Sequence, residues 1–172
     1  MSRREVLSWK QIPLLIEHLV SQFDQAIDTL LMVNPSGLIT GGLVAARIRP
    51  AHVHAIKIDF PALSEPNAHD KSNLLALPKF VDFPPESQLK GQSVLLVDAN
   101  WGCGRVLAGA RRRVENAGGL ARTAVLHFSP PLNNFQDEIP DYYASITDAE
   151  IIYPWDVDLG KQTRYFTEPR TS

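Results

Sequence analysis

The chain has 172 residues, a formal net charge of −2 and a single cysteine. That length suits one domain, residues 1–172, able to bury a real core. The charge offers no electrostatic case for non-specific nucleic-acid binding, and one cysteine excludes an intramolecular disulfide framework and a cysteine-rich zinc site. No apolar run approaches the ~20 residues of a membrane span, and the charged start "MSRREVLSWK" is not followed by the apolar segment of a secretory signal. The expectation is a soluble, cytoplasmic domain.

Along the chain, Ser8 and Gln11 have the spacing of a capping box. Behind them Ile12, Leu15, Ile16, Leu19 and Phe23 recur at helical spacing, and Pro13 moves the expected start toward Ile12. "TLLMV", Thr29 to Val33, is a continuous apolar run of the kind that forms a strand buried on both faces. In "NPSGLITGGLVAARI" the pair Gly41-Gly42 marks a tight backbone site, with a short helix expected over Leu43 to Ile48. "VHAIKIDF", Val53 to Phe60, alternates as a half-exposed strand does. The segment 61–90 holds five of the thirteen prolines and the polar patch "SEPNAHDKSN". It reads as a long excursion with a mobile loop and one further strand around Phe80.

The central unit follows. Val94 to Val97 read as a buried strand, Arg105 to Asn116 as a helix ended by Gly118-Gly119, and Ala121 to Phe128 as the next strand. Strand, helix and strand in this order make a right-handed crossover between parallel strands. A last short strand in "AEIIYPW" stops at Pro154. The sum is an α/β domain on a mostly parallel twisted sheet flanked by helices.

Ligands of such sheets bind at the carboxyl ends of the strands, which singles out the loops 34–42, 98–104 and 127–137. In the second, Gly102 and Gly104 directly precede a helix. Glycine lets backbone N–H groups turn inward, and a helix start favours an anion without a basic side chain. A ligand-free strand-to-helix connection has the same spacing.

"VLLVDANWGCGRVL" resembles the signature of type I phosphoribosyltransferases, V-[DE]-D-V-x-D-[ST]-G-x-T. "SWKQIPLLIEHL", "ITGGLVAARI" and "PDYYASITDAEIIYPWD" are similar, in the right order, to segments of the purine branch that acts on xanthine and hypoxanthine. The resemblance implies the family's fold, with a small hood formed by the chain termini or the 61–90 segment. It implies a phosphate-binding loop at Gly102, Cys103, Gly104, Arg105 and Val106, a ribose or metal side at Asp98, and a pyrophosphate side at Thr40 and Gly41. Ser129, Glu150 and Ile151 fall on the base side, and Asp156 matches an acid that helps hold a second metal in some members. Magnesium is the cofactor implied, phosphoribosyl pyrophosphate or a nucleotide the ligand, and a homodimer the family's habit.

The departures all run one way. Ala99 replaces the second acid of the pair, Gly102 the acid within the loop, and Cys103 and Val106 its hydroxyls. Ser129 stands where relatives place a lysine, and Glu150 where they place a stacking aromatic. General acid–base help contributes roughly 10²–10⁴-fold, so a transferase with these losses is expected to be weak or inactive. The leading expectation is a family member that binds a phosphorylated ribose or nucleotide and acts as a sensor or regulator. The alternative is a working transferase on an altered base, with Glu65 or Asp70 as its base. A third reading is a protein- or RNA-interacting subunit using Trp101 and the run Arg111, Arg112 and Arg113.

Other residues read more plainly. Cys103 could meet His127 as a nucleophile pair, but a filler thiol fits better. The arginine run reads as solvated charge with one arginine at an interface, and His52, His54 and His69 lack a metal spacing. Trp101 reads as an exposed loop aromatic in contact with a ligand or partner.

Overall fold

The computed structural model describes residues 3–33, 35–59, 79–134 and 137–158. Glu65, His69 and Asp70, and most of the expected mobile loop, lie outside them. In chain order the elements are β1 (Arg4–Val6), α1 (Ile12–Val20), β2 (Thr29–Val33), α2 (Ser36–Ile48), β3 (His52–Asp59), β4 (Lys79–Asp82) and α3 (Glu86–Leu89). After these come β5 (Ser93–Asn100), α4 (Arg105–Asn116), β6 (Leu120–Phe128), β7 (Tyr142–Ile146), β8 (Glu150–Ile152) and α5 (Pro154–Asp158).

Six strands form the main sheet in the order β4-β3-β2-β5-β6-β7. All neighbours are parallel except β4, which pairs antiparallel with β3. Apolar runs alternate across it. Leu30, Leu95, Val97 and Leu126 pack with Ile12, Ile16 and Leu19 of α1 and Val44 of α2. Leu31, Leu96, Val94 and Val125 pack on the opposite face with Leu107, Ala110 and Val114 of α4. Both faces are covered, which is why the central strands read as continuous apolar runs. A second, two-stranded parallel sheet joins β1 to β8, with Arg4 opposite Glu150. It is a hood made from the two end regions of the chain.

The crossover β5–α4–β6 is as its sequence implied. Gly118, at φ +82°, closes α4 in a Schellman motif: its N–H bonds to the Glu115 carbonyl at 2.9 Å and that of Gly119 to Val114 at 3.0 Å. At α1 only part of the capping box forms. The Gln11 side-chain oxygen accepts from the Ser8 N–H and hydroxyl, both at 2.8 Å, and the helix itself starts at Ile12.

The expected 34–42 loop is corrected. α2 begins at Ser36 and runs straight through Gly41-Gly42. The first of these glycines is a packing residue, since a Cβ there would enter the Met32 side chain. Gly37 lets the first turn of α2 approach β5, where a Cβ would collide with the Val97 carbonyl oxygen and sit 3.2 Å from the Asp98 Cα.

Candidate functional site at the topological switch

From β2 the sheet grows outward through α2 on one face, and from β5 it grows the other way through α4 on the opposite face. The carboxyl ends of β2 and β5 therefore form a topological switch point, the place where open α/β sheets bind ligands. Its walls are the start of α2, the stretch Asp98–Gly104, and the end of β6 with the turn at Pro130–Leu132.

Asp98 spans the switch. Its carboxylate accepts the Ser36 hydroxyl from the first turn of α2, a close contact, and the Ala99 N–H at 2.6 Å. Burial pushes this carboxyl from 3.8 up to about 6, against the two hydrogen bonds that favour its charge. The negative charge also lies where the start of a helix is partially positive. Asp98 thus ties α2 to β5.

Ala99 is fully buried among Leu126, Tyr153 and Trp155. Its carbonyl lies beyond the last pairing of β5 with β2, Val97 with Met32, and is claimed from the hood: the Tyr153 hydroxyl donates to it at 2.7 Å. His127 Nδ1 lies 3.0 Å from the same hydroxyl. Burial, then Asp98 and Asp156, hold the Tyr153 phenol well above its usual range. Burial lowers the His127 pKa, partly opposed by Glu5 of β1. Both groups are neutral. Tyr153 stacks on Trp155 at 4.6 Å between ring centroids, and Trp155 meets Trp9 at 5.8 Å.

The loop after β5 turns on two glycines, Gly102 at φ +55° and Gly104 at φ +84°. Trp101 corrects an expectation. It is 4 % exposed and packs in the core with Leu107 and Phe128 on the α4 side. Its indole N–H donates to the Asn133 side-chain oxygen at 3.1 Å. A Cβ on Gly104 would lie 2.6 Å from the indole nitrogen and 2.9 Å from that oxygen. The tryptophan buttresses the loop from the α4 side and faces no solvent.

The Gly104 N–H is committed to the Trp101 carbonyl at 3.0 Å. Among the described residues, the N–H groups of Gly102, Cys103, Val106 and Leu107 meet no protein acceptor. These orphans belong to the loop and the first turn of α4, as helix geometry requires. Cys103 is exposed, and the side-chain partner of His127 is the Tyr153 hydroxyl, not this thiol.

The remaining site positions scatter. Ser129 ends β6, is 8 % exposed, and its buried hydroxyl has no partner. Glu150 and Ile151 lie in β8 of the hood. Glu150 pairs with Arg4 at 2.8 Å, and Ile151 packs against the α1-side core. Thr40 and Gly41 sit inside α2, both buried. Asp156 reaches back to the Tyr153 N–H at 3.3 Å, the reciprocal half of a capping box, with Pro154 opening α5.

These residues do not fit a protein-held magnesium ion. Asp98 is desolvated and engaged by two donors, Asp156 caps a helix, and the described residues contain no cluster of three acids, histidines or cysteines.

In the arginine run, Arg112 and Arg113 are exposed, as solvated charge is, and Arg111 alone is partly buried. Arg111 bridges Asp141 and Thr123, Arg112 pairs with Glu138, and Arg113 lies over the rings of Phe80 and Phe83 at 4.8 and 5.5 Å. No helix of the described residues is long and apolar enough to cross a membrane.

No protein-family model and no curated protein matches the chain. Solved structures do. A purine phosphoribosyltransferase from Pyrococcus horikoshii shares 21 % identity at a TM-score of 0.70, over 88 % of this chain and 93 % of its own. A xanthine-guanine-hypoxanthine phosphoribosyltransferase from Helicobacter pylori shares 16 % at 0.70, over 91 % and 96 %. A hypothetical protein from Neisseria gonorrhoeae, solved with bound ppGpp, shares 18 % at 0.74, over 91 % and 90 %. The chain has the fold of the purine phosphoribosyltransferases.

Proposed function

We propose that this chain is a purine-branch phosphoribosyltransferase homologue that binds a phosphorylated ribose or nucleotide at the 98–106 loop and retains at most trace transferase activity. The observation that carries this reading is the row of unsatisfied N–H groups at Gly102, Cys103, Val106 and Leu107, beside the switch point. Backbone donors at a helix start hold phosphate without a charged side chain. That a protein of the same fold was solved with bound ppGpp favours a nucleotide over a bare sugar phosphate.

The loss of turnover has a physical basis beyond missing side chains. The position of the second acid, Ala99, is built into the core beneath Tyr153 and Trp155. Gly102, at the position of the loop acid, leaves the loop without a carboxylate, and Asp98 serves α2. Such a protein senses its ligand by binding it.

Two measurements test this. Calorimetric titration with ribose 5-phosphate and with guanosine 5′-monophosphate should show saturable binding. A steady-state assay with phosphoribosyl pyrophosphate, magnesium and a panel of purines should show only a trace rate. Turnover on the order of 1 s⁻¹, as in ordinary enzymes, would make this a rebuilt transferase, and failure of both phosphates to bind would remove the reading altogether.

A further inference from the structure

The turn that opens the loop after β5 is gripped from outside by two consecutive residues of the β6–β7 connection. The Gly104 N–H closes a four-residue turn on the Trp101 carbonyl at 3.0 Å. Its central residues are Gly102 and Cys103, whose N–H groups meet no protein acceptor among the described residues. Asn133 holds the first residue of the turn, since its side-chain oxygen accepts the Trp101 indole N–H at 3.1 Å. Asn134 holds the third, since its backbone N–H donates to the Cys103 carbonyl at 3.2 Å.

The orientation of the Asn133 amide is fixed by its neighbours. An indole N–H only donates and a carbonyl only accepts, so the amide oxygen meets Trp101 and the amide nitrogen donates to the Glu138 carbonyl, at 2.8 Å. Neither aspartate nor leucine can do both. The grip is itself anchored on two sides. Upstream, the Asn133 N–H bonds to the Pro130 carbonyl at 3.2 Å, closing the turn at Pro130–Leu132. Downstream, the Glu138 carboxylate pairs with Arg112 of α4, the helix into which the loop leads.

A planar trans peptide carries its C=O and N–H on opposite edges. The Cys103–Gly104 peptide is therefore held twice, by Asn134 at its oxygen and by the Trp101 carbonyl at its nitrogen. Gly104, at φ +84°, permits this unit to rotate, because glycine takes either sign of φ about equally. A rotated peptide would bring the Cys103 oxygen against the Trp101 oxygen and open the turn. From this we infer that Asn133 and Asn134 are positioning residues: they keep the 101–104 turn closed, so that the N–H groups of Gly102 and Cys103 stay unspent for an anionic ligand. The inference rests on the proposed binding of a phosphorylated ligand at this loop. It adds that the loop's donors are set by a connection thirty-two positions from Trp101.

Amide NMR of the full chain, titrated with inorganic phosphate and with ribose 5-phosphate, tests this. Asn134→Pro deletes the gripping N–H, and Asn133, at φ −71° and ψ 119°, already has the extended backbone of a residue before proline. In the parent the Gly104 amide should exchange slowly with water. In Asn134→Pro it should lose that protection, and phosphate should bind about five- to tenfold more weakly, the value of one hydrogen bond. Asn134→Ala keeps the N–H and should restore both readings. Asn133→Leu and Trp101→Phe break one bond from its two ends, so the double variant should bind phosphate no more weakly than the weaker single variant. If proline disturbs the fold, as circular dichroism would reveal, this pair decides alone. A Gly104 amide still protected in a folded Asn134→Pro, parental phosphate affinity in that variant, or additive losses in the pair overturn the inference and leave the proposed function standing. A parent in which neither probe shifts the 102–107 amides overturns both.

Discussion

Replacing Gly104 by alanine should cost far more stability than the same change at Gly102, although both glycines have positive φ. An L-residue in the left-handed region pays roughly 1–2 kcal/mol, and this applies to both. At Gly102 the new Cβ would meet only the Asn100 side-chain oxygen, at 3.3 Å. At Gly104 it would lie 2.6 Å from the Trp101 indole nitrogen and 2.9 Å from the Asn133 oxygen, so the indole has to leave its pocket. Overpacking of this kind costs about 1–3 kcal/mol, and loss of the indole hydrogen bond adds about 0.5–1.5 kcal/mol. Gly104→Ala is therefore expected to fall below Gly102→Ala by about 1.5–4.5 kcal/mol, the sum of those two ranges. Urea unfolding followed by circular dichroism measures both variants against the parent, and the shared backbone effect cancels in the difference. Two variants within 1 kcal/mol of each other would refute the view that Trp101 is the buttress of this loop.

Asp98→Asn should stabilise the protein at pH 8 by at most about 3 kcal/mol, from the rise of its carboxyl from 3.8 to about 6 at 1.36 kcal/mol per unit. Between those pH values the native state holds more protons than the unfolded one, so the parent loses stability as pH rises through the window and the variant does not. Urea midpoints that stay apart at pH 4 would contradict this. Gly42→Ala should raise stability by about 0.5–1 kcal/mol, since nothing lies within 4 Å of the new Cβ. Gly41→Ala should lower it by about 1–3 kcal/mol, and thermal melts of the pair should move in opposite directions. Ala99→Asp should lower the urea midpoint sharply at pH 8 and less at pH 5, because a carboxyl buried beside Tyr153 and Trp155 folds more easily when neutral. A variant as stable as the parent at pH 8 would show that this position is open to water.

The β5–α4–β6 unit was legible because local signals agree there: a continuous apolar run, glycines before the helix, and a glycine pair after it. β1 escaped notice because "REV" carries charges at two of its three positions and becomes a strand only by pairing with β8. Tyr142–Ile146 also passed unrecognised as β7, since its place beside β6 is a long-range fact. The start of α2 was misread because Asn34-Pro35 and Gly41-Gly42 look like punctuation, and only the side chain of Met32 reveals Gly41 as a packing residue. The burial of Trp101 depends on Asn133, thirty-two positions away. Equally, nothing around His127 announces Tyr153, and Ser36 gives no local sign that it will meet Asp98. Loop backbone and missing acids can be read from spacing, whereas the polar bonds that close the switch point come from the assembled sheet.

The hood gives these bonds an order in time. Arg4 and Glu150 are 146 positions apart, and closing so long a loop is entropically slow compared with forming the local β5–α4–β6 unit. During synthesis, Tyr153 leaves the ribosome after every strand of the main sheet has been made. Until it docks, the Ala99 carbonyl has no donor and His127 is free to place its proton on either nitrogen. A nascent chain can therefore own a finished β5–α4 loop while the imidazole beside it is still undecided, and the switch point is complete only when β8 joins β1.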